Sequence, residues 1–400
     1  MNWPTSQDYN EAVQDPTTSF FDPDLKGGQV SLNAMGLPIP RSGNFADVYE
    51  FTGAGGKKWA LKCFTRKVPG LKERYARIDE HLTKARLPFT VGFKFLMQGV
   101  RVRGEWYPLL KMEWVEGFTL NDFVANNLDK PQYLHALVQM WAKLAGRVRD
   151  ASLAHADLQH GNVLLVPGAT PQKLGLKLID YDGMWVPALA DSHSGEVGHP
   201  NFQHPARLKD RSYNGDVDRF PHLVIAAGLR AALVGGKPLW DQFDNGDNLL
   251  FKEADLRDPA NAPVFKALWK LNDPVLRTFV GHIALSVGQP LKTTPWLDQV
   301  LFADGGPKLT ADEERRVCDL LGVTAAAPAG AKAPAAALQQ EFNVFDFQAE
   351  DDPMSFADSA RRPVTRRKPA KKSNLPLFVG GGVAAAVLVA GAIAAVMLGG

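Results

Sequence analysis

The stretch His155-Ala156-Asp157-Leu158-Gln159-His160-Gly161-Asn162-Val163-Leu164-Leu165 decides how this chain is read, because it carries two oxygen-bearing side chains into an apolar strand. Asp157 and Asn162 stand five residues apart on a loop, and Val163-Leu164-Leu165 is the strand after it. Further on, Leu178-Ile179-Asp180-Tyr181-Asp182-Gly183 reads as a second apolar strand that ends in carboxylates. Taken singly, each pattern also arises from capping and turn-forming residues. In series, at the ends of two strands, they describe one oxygen-rich cluster.

Phosphoryl transfer calls for such a cluster. It needs a carboxylate to orient an attacking hydroxyl and accept its proton, and an oxygen ligand to hold Mg²⁺ against phosphates. Asp157 can do the first. Asn162 and Asp180, with Asp182 beside them, suit a hard cation. Working outward, residues 44–51 and 58–64 read as paired strands around the turn residues 53–56. Residues 70–86 read as a helix with Leu71, Tyr75, Ile78 and Leu82 on one face. Residues 108–116 form an apolar strand, and 130–150 and 219–234 are long apolar-periodic helices.

With these pieces in place, residues 36–300 resemble the protein kinase superfamily. Arg41 to Tyr49 is similar to the Gly-rich loop G-x-G-x-x-G-x-V-Y and keeps its middle glycine, Gly43, with Val48 at the valine. Ala60-Leu61-Lys62 resembles the Ala-x-Lys of the third strand, which makes Lys62 the residue expected to grip the α- and β-phosphates of ATP. Lys111 to Gly117 matches the hinge, so the resemblance puts Met112 at the gatekeeper and adenine against the Glu113 carbonyl and the Val115 amide. It gives Asp157 the role of base and Asn162 and Asp180 the metal. Gly198 to Pro205 resembles the end of an activation segment, and Asp218 falls where the family buries an aspartate before its central helix.

The chain also departs from the family. Ala156 replaces the Arg before the catalytic Asp, and Gln159 replaces a Lys that faces the transferring phosphate. Tyr181-Asp182 stands for Phe-Gly, and Ala206 for a structural Glu. The acid that partners Lys62 is open between Glu80, which has the spacing, and Asp79, which lies nearer the apolar face. His193, His199 and His204 could be metal ligands, but their loop context and the lack of a second ligand pair argue against it.

The rest of the chain sets boundaries. Of 400 residues, 45 are basic and 43 acidic, a net charge of +2 that argues against nucleic-acid binding. Two distant cysteines, Cys63 and Cys318, make no disulfide framework and suggest a reducing compartment. The start of the chain lacks the pattern of a signal peptide. Residues 1–35 read as an N-terminal extension, 301–322 as a helical extension, and 323–374 as a linker that is Ala/Pro-rich, then acidic, then basic. The run from Leu375 to Gly400 carries no charge, and 375–398 is long enough for a transmembrane helix. Seven basic residues between Arg361 and Lys372 precede it and place residues 1–372 in the cytoplasm.

The expectation is therefore an α+β, bilobal protein-kinase-like fold with an N-lobe over 36–117 and a C-lobe over 118–300. Beyond these lobes come a disordered linker and one C-terminal transmembrane helix. The function expected is a Ser/Thr protein kinase using ATP and Mg²⁺ at the cytoplasmic face of a membrane, on a protein substrate for which the chain itself is one candidate. Two alternatives stay open: a small-molecule kinase of the aminoglycoside-phosphotransferase type, and an ATP-binding pseudokinase scaffold.

Overall fold

In the computed structural model, residues 3–167 and 174–325 are described. Their first half is built on a twisted antiparallel sheet. Strand β1 is Gln29–Val30, β2 Arg41–Ser42, β3 Ala46–Thr52, β4 Lys58–Phe64, β5 Phe93–Val102 and β6 Glu105–Glu113. The order across the sheet is β1-β3-β4-β6-β5, with β2 folded back on β3. The β3–β4 hairpin runs in register from Ala46↔Phe64 to Thr52↔Lys58. Its turn closes through the Gly53 amide on the Lys57 carbonyl, and Gly56 takes φ +78°, open to glycine at little cost.

Alternation along these strands sorts the side chains to two faces. Ala60, Lys62 and Phe64 of β4 and Leu110 and Met112 of β6 turn toward the cleft, while Tyr49, Phe51, Leu61, Cys63 and Leu109 turn away from it. On the cleft side the sheet is covered by the helix Leu71–Ala85, whose Leu71, Tyr75, Ile78 and Leu82 are buried at alternating spacings of four and three.

The other face is also apolar and is covered by the N-terminal extension. The helices α1 (Ser6–Gln14), α2 (Pro16–Ser19) and α3 (Pro23–Lys26) bury Tyr9, Val13, Phe20 and Leu25 against the outer face of the sheet. Polar bonds fix them. The Tyr9 hydroxyl donates to the Phe64 carbonyl at 2.6 Å, and that of Tyr49 to Asn10 Oδ1 at 2.8 Å. Lys111 Nζ, on the same face, meets Asp22 at 3.1 Å and Asp24 at 3.0 Å. Phe51, Leu61 and Leu109 would face water without this cover.

After the connection 114–117 the chain is mainly helical. With the Leu71–Ala85 helix numbered α4, α5 is Leu120–Ala125, α6 Pro131–Asp150, α7 Pro205–Asp210 and α8 Arg219–Phe243. Trp141 of α6 donates its indole N–H to the His222 carbonyl of α8 at 3.0 Å. Arg230 of α8 makes two bonds, 2.9 and 2.6 Å, to Asp273, which caps the helix Pro274–Val287. Among the described residues α8 is the one helix long and apolar enough to cross a membrane, and it is the buried centre of this lobe. The helix Ala311–Leu321 opens on a Thr310/Glu313 capping box and buries Val317 and Leu321 in the same core. Strands β7 (Phe118–Thr119), β8 (Val163–Pro167) and β9 (Leu174–Leu178) form a small antiparallel sheet facing the cleft. The described residues thus have the expected two-lobed α+β architecture. The transmembrane run 375–398 and most of the linker lie outside them.

Candidate functional site

The site is assembled where β8 and β9 end. Asp218 is fully buried and accepts hydrogen bonds from the His155 and Ala156 amides, which clamps the loop before Asp157. Burial pushes the Asp218 carboxyl up, although His155 and Arg207 pull against it. Under that clamp Ala156 sits at φ +66°, a left-handed conformation that costs a residue with a Cβ on the order of 1 kcal/mol. Such strain persists only where the surroundings hold it.

Asp157 is held from two sides. Its Oδ2 accepts from Asn162 Nδ2 at 3.1 Å, and its Oδ1 from the His199 amide at 2.8 Å. Asn162 Nδ2 also reaches the Asp157 carbonyl at 2.9 Å. Both bonds use the amide nitrogen, so the Asn162 side-chain oxygen is the acceptor left to face a cation. Gln159 caps the turn His160–Asn162 through the Gly161 amide at 2.7 Å, a structural job in place of the family's cation.

Just past β9 the Ile179 amide bonds the Asn162 carbonyl at 3.0 Å, which brings the residue before Asp180 onto the loop of Asn162. Asp180 comes next at φ +67°, the second strained non-glycine of the site. Lys62 Nζ lies 2.7 Å from Asp180 Oδ1 and 2.6 Å from Asp182 Oδ2. Burial works against the Lys62 charge, but the two carboxylates outweigh it and hold the ammonium well above its ordinary pKa. Burial likewise drives both acids upward. For Asp180 the Lys62 charge more than cancels it and the net shift is down; for Asp182 burial wins and the net shift is up. The Asp180 side chain is 41% exposed and that of Asp182 only 6%, so Asp180 is the one open to a ligand.

The sequence left the acid for Lys62 open between Glu80 and Asp79, and the structure supplies neither. Glu80 is exposed and pairs with Lys84 at 2.6 Å, one turn along its own helix. In their place α4 presents Tyr75, whose hydroxyl donates to Asp182 Oδ1, and Arg74, which donates to the Asp182 carbonyl at 2.8 Å. Sequence spacing could not show this contact, which joins residues 107 apart.

The other residues expected to touch nucleotide lie on or beside the sheet. Val48 lies opposite Lys62 in the register of β3 and β4. Gly43 closes the β2–β3 hairpin through its amide on the Ala46 carbonyl, and a Cβ there would meet only ordinary contact at 3.6 Å, so the fold itself does not require glycine. Phe45, in that hairpin, lies 6.0 Å from Lys62 Nζ. Met112 is buried behind the cleft. The Glu113 amide is taken by the Gly92 carbonyl, and its side chain pairs with Lys57 at the rim.

The segment 198–205 packs on the catalytic loop. A Cβ on Gly198 would lie 2.9 Å from the Ala156 carbonyl and 2.6 Å from Gln203 Nε2, and its φ is +77°, so this approach demands glycine. His199 Nε2 meets Asp247 at 3.1 Å, whereas His204 bonds the Ser286 carbonyl at 2.9 Å. The histidines do not converge on a metal. Arg207, 1% exposed, bonds Gln203 and lies within electrostatic reach of Asp218 and Asp157, close to the position that Ala156 leaves without a guanidinium.

Among the described residues no three His, Cys, Asp or Glu side chains form a ready-made metal cage. Mg²⁺ usually takes one or two carboxylates together with substrate phosphates and water. Asp180 and the Asn162 oxygen are the residues that would hold it.

No protein-family model matches the chain, and no curated protein matches it. Among solved structures the chain is similar to the PK-1 kinase of Cydia pomonella granulovirus, at 14% identity and a TM-score of 0.44. The match covers 69% of this chain and 94% of that one. So loose a likeness is silent on activity. What the site can do is therefore argued from the chain's own Asp157, Asn162, Asp180 and Lys62.

Proposed function

We propose that this chain is an ATP- and Mg²⁺-dependent phosphotransferase, a Ser/Thr protein kinase working at the cytoplasmic face of a membrane. The observation that carries the reading is the meeting, at the open edge of one cleft, of Lys62 from one lobe with Asp180 from the other. Asp157 and Asn162 lie on the neighbouring loop.

In this reading Lys62 binds the α- and β-phosphates of ATP. Asp157, oriented by Asn162 and the His199 amide, takes the proton of the acceptor hydroxyl as that oxygen bonds the γ-phosphorus. The bond to the bridging oxygen breaks and ADP leaves. Bound Mg²⁺ would supply charge neutralisation on the phosphates.

A protein acceptor is favoured over a small molecule by the segment 198–205, which is anchored to Asp157, Asp247 and Ser286 beside the catalytic loop. The second carboxylate of Asp-x-Asp, which would support the small-molecule alternative, is taken up by Lys62 and Tyr75. The membrane part of the reading rests on the uncharged run 375–400 and the basic residues before it.

Incubation with γ-labelled ATP and Mg²⁺ tests the proposal. Label on Ser or Thr of a protein supports it, and label on a small acceptor replaces it with the first alternative. Nucleotide binding with no transfer to any acceptor would leave only the scaffold.

A further inference from the structure

We propose that Asp182 is the fixed counter-ion of Lys62, doing from the β9 turn what an acid on the neighbouring helix would otherwise do. Asp182 is thereby a positioning residue, outside the metal-ligand set. For its effect on turnover this rests on the phosphotransfer reading; the contacts themselves do not.

The two carboxylates that touch Lys62 differ in what else they can do. Every acceptor of Asp182 is committed inward: Oδ2 to Lys62 at 2.6 Å, Oδ1 to the Tyr75 hydroxyl, and the backbone carbonyl to Arg74 Nε at 2.8 Å. Asp180 has one oxygen on Lys62 and the larger exposed share, facing the cleft. When Asp180 turns to a cation, a buried ammonium that lost it would be stranded unless a second carboxylate stayed. Asp182 is that carboxylate.

The same contacts latch α4. Arg74 Nη2 donates to the Met184 carbonyl at 3.0 Å and to the Tyr213 hydroxyl at 2.9 Å, and that hydroxyl donates in turn to the Met184 carbonyl at 2.7 Å. Tyr75 is buried, packed edge-on against Phe93 and stacked on Phe95. The helix therefore holds the turn 182–184 through a hydroxyl and a guanidinium and offers Lys62 no acid of its own. Moving α4 away would break contacts to the very turn that orients Lys62.

The test uses the full chain and compares Asp182→Asn, Asp182→Glu, Tyr75→Phe, Glu80→Gln and Asp79→Asn. Two readouts are needed. The first is the free Mg²⁺ concentration that half-saturates tight ADP binding, measured calorimetrically without turnover. Without Asp182, Lys62 turns wholly onto Asp180 and competes with the cation, so in Asp182→Asn this midpoint rises roughly tenfold, the worth of one charge-assisted hydrogen bond. Asp182→Glu recovers most of that rise, and Glu80→Gln and Asp79→Asn leave the midpoint within about twofold of the parent. The second readout is amide exchange in α4 of the nucleotide-free protein. It quickens in Asp182→Asn and, less strongly, in Tyr75→Phe, which keeps the ring and decides the matter should Asp182→Asn fail to fold. An unchanged midpoint in folded Asp182→Asn, no rescue by Glu, or a raised midpoint in Glu80→Gln or Asp79→Asn overturns the proposal. A parent that binds no nucleotide overturns the phosphotransfer reading instead, and α4 exchange still decides the Asp182 contact.

Discussion

Asp157 and Asp180 are both carboxylates at the mouth of one cleft, yet their contacts assign them different work. Asp157 is held by two donors that orient it. Asp157→Asn is expected to lower turnover by a general-base factor of roughly 10²–10⁴ and to leave Mg²⁺-dependent nucleotide binding intact. Asp180→Asn should lose turnover and also flatten the Mg²⁺ dependence of binding. Measuring turnover, melting temperature and nucleotide affinity with and without Mg²⁺ separates them, and full activity in either folded variant removes that residue from the site. A third acid enters from the segment before Gly198. Burial, helped by the charges of Asp182, Asp180 and Asp157, pushes the Glu196 carboxyl up to about 7 from an ordinary 4.5. The folded state then holds this proton more tightly than the unfolded chain. Glu196 therefore takes stability away as pH rises from 4.5 through 7. In the metal-free protein Glu196→Gln should gain melting temperature over the parent across that window and match it in more acidic buffer. Melting curves that stay parallel for the two proteins from acidic to mildly alkaline pH would refute this.

The elements divide into those their own residues announce and those only packing can set. The helix α4 was legible because Leu71, Tyr75, Ile78 and Leu82 repeat at helical spacing, and the β3–β4 pair because two apolar runs flank a glycine-rich turn. The placement of Asp157, Asn162 and Asp180 beside strands followed a similar local pattern, whereas Lys62 lies within β4. The phase of α4 also spoke against Glu80 as the acid for Lys62. The replacement, Asp182 held by Tyr75, is a long-range contact that no spacing encodes. How the first thirty residues pack was not legible, because α1, α2 and α3 are short and mostly polar outside. A signal was present in the strands they cover, since β4 and β6 are apolar on both alternating faces and one-sided burial does not account for that. Lys111 gives a test. Its ammonium lies with 8% of its side chain exposed against Asp22 and Asp24. Asp22→Asn with Asp24→Asn leaves that charge buried without its acids and should cost about 3 kcal/mol of unfolding free energy. Adding Lys111→Met should return most of it. A double-mutant cycle by urea denaturation reads the coupling, and an additive cycle would mean that the Lys111 ion pairs add nothing to the hold on the N-terminal segment.

The last helix among the described residues is the core-bound Ala311–Leu321, and the sequence C-terminal to it carries a different pattern. The run from Leu375 to Gly400 has no charged side chain, and about 20 residues of helix span the ~30 Å hydrocarbon layer. It is rich in Ala and Gly, so insertion draws little margin from hydrophobicity and orientation depends on the flanking charge. That flank holds Arg361, Arg362, Arg366, Arg367, Lys368, Lys371 and Lys372, each worth about 1 kcal/mol of attraction to an anionic leaflet. The one apolar helix of comparable length among the described residues, Arg219–Phe243, is spoken for by the lobe core and cannot serve instead. A reporter joined after Gly400 should therefore lie outside the cytoplasm in the parent, with the catalytic unit inside. Changing the seven basic residues to Gln should scatter that orientation while leaving nucleotide binding by the purified protein unaltered, because none of them is in the two lobes. A cytoplasmic reporter on a soluble parent protein would end the membrane assignment and leave the catalytic proposal standing, since Lys62, Asp157 and Asp180 all precede the tail in sequence.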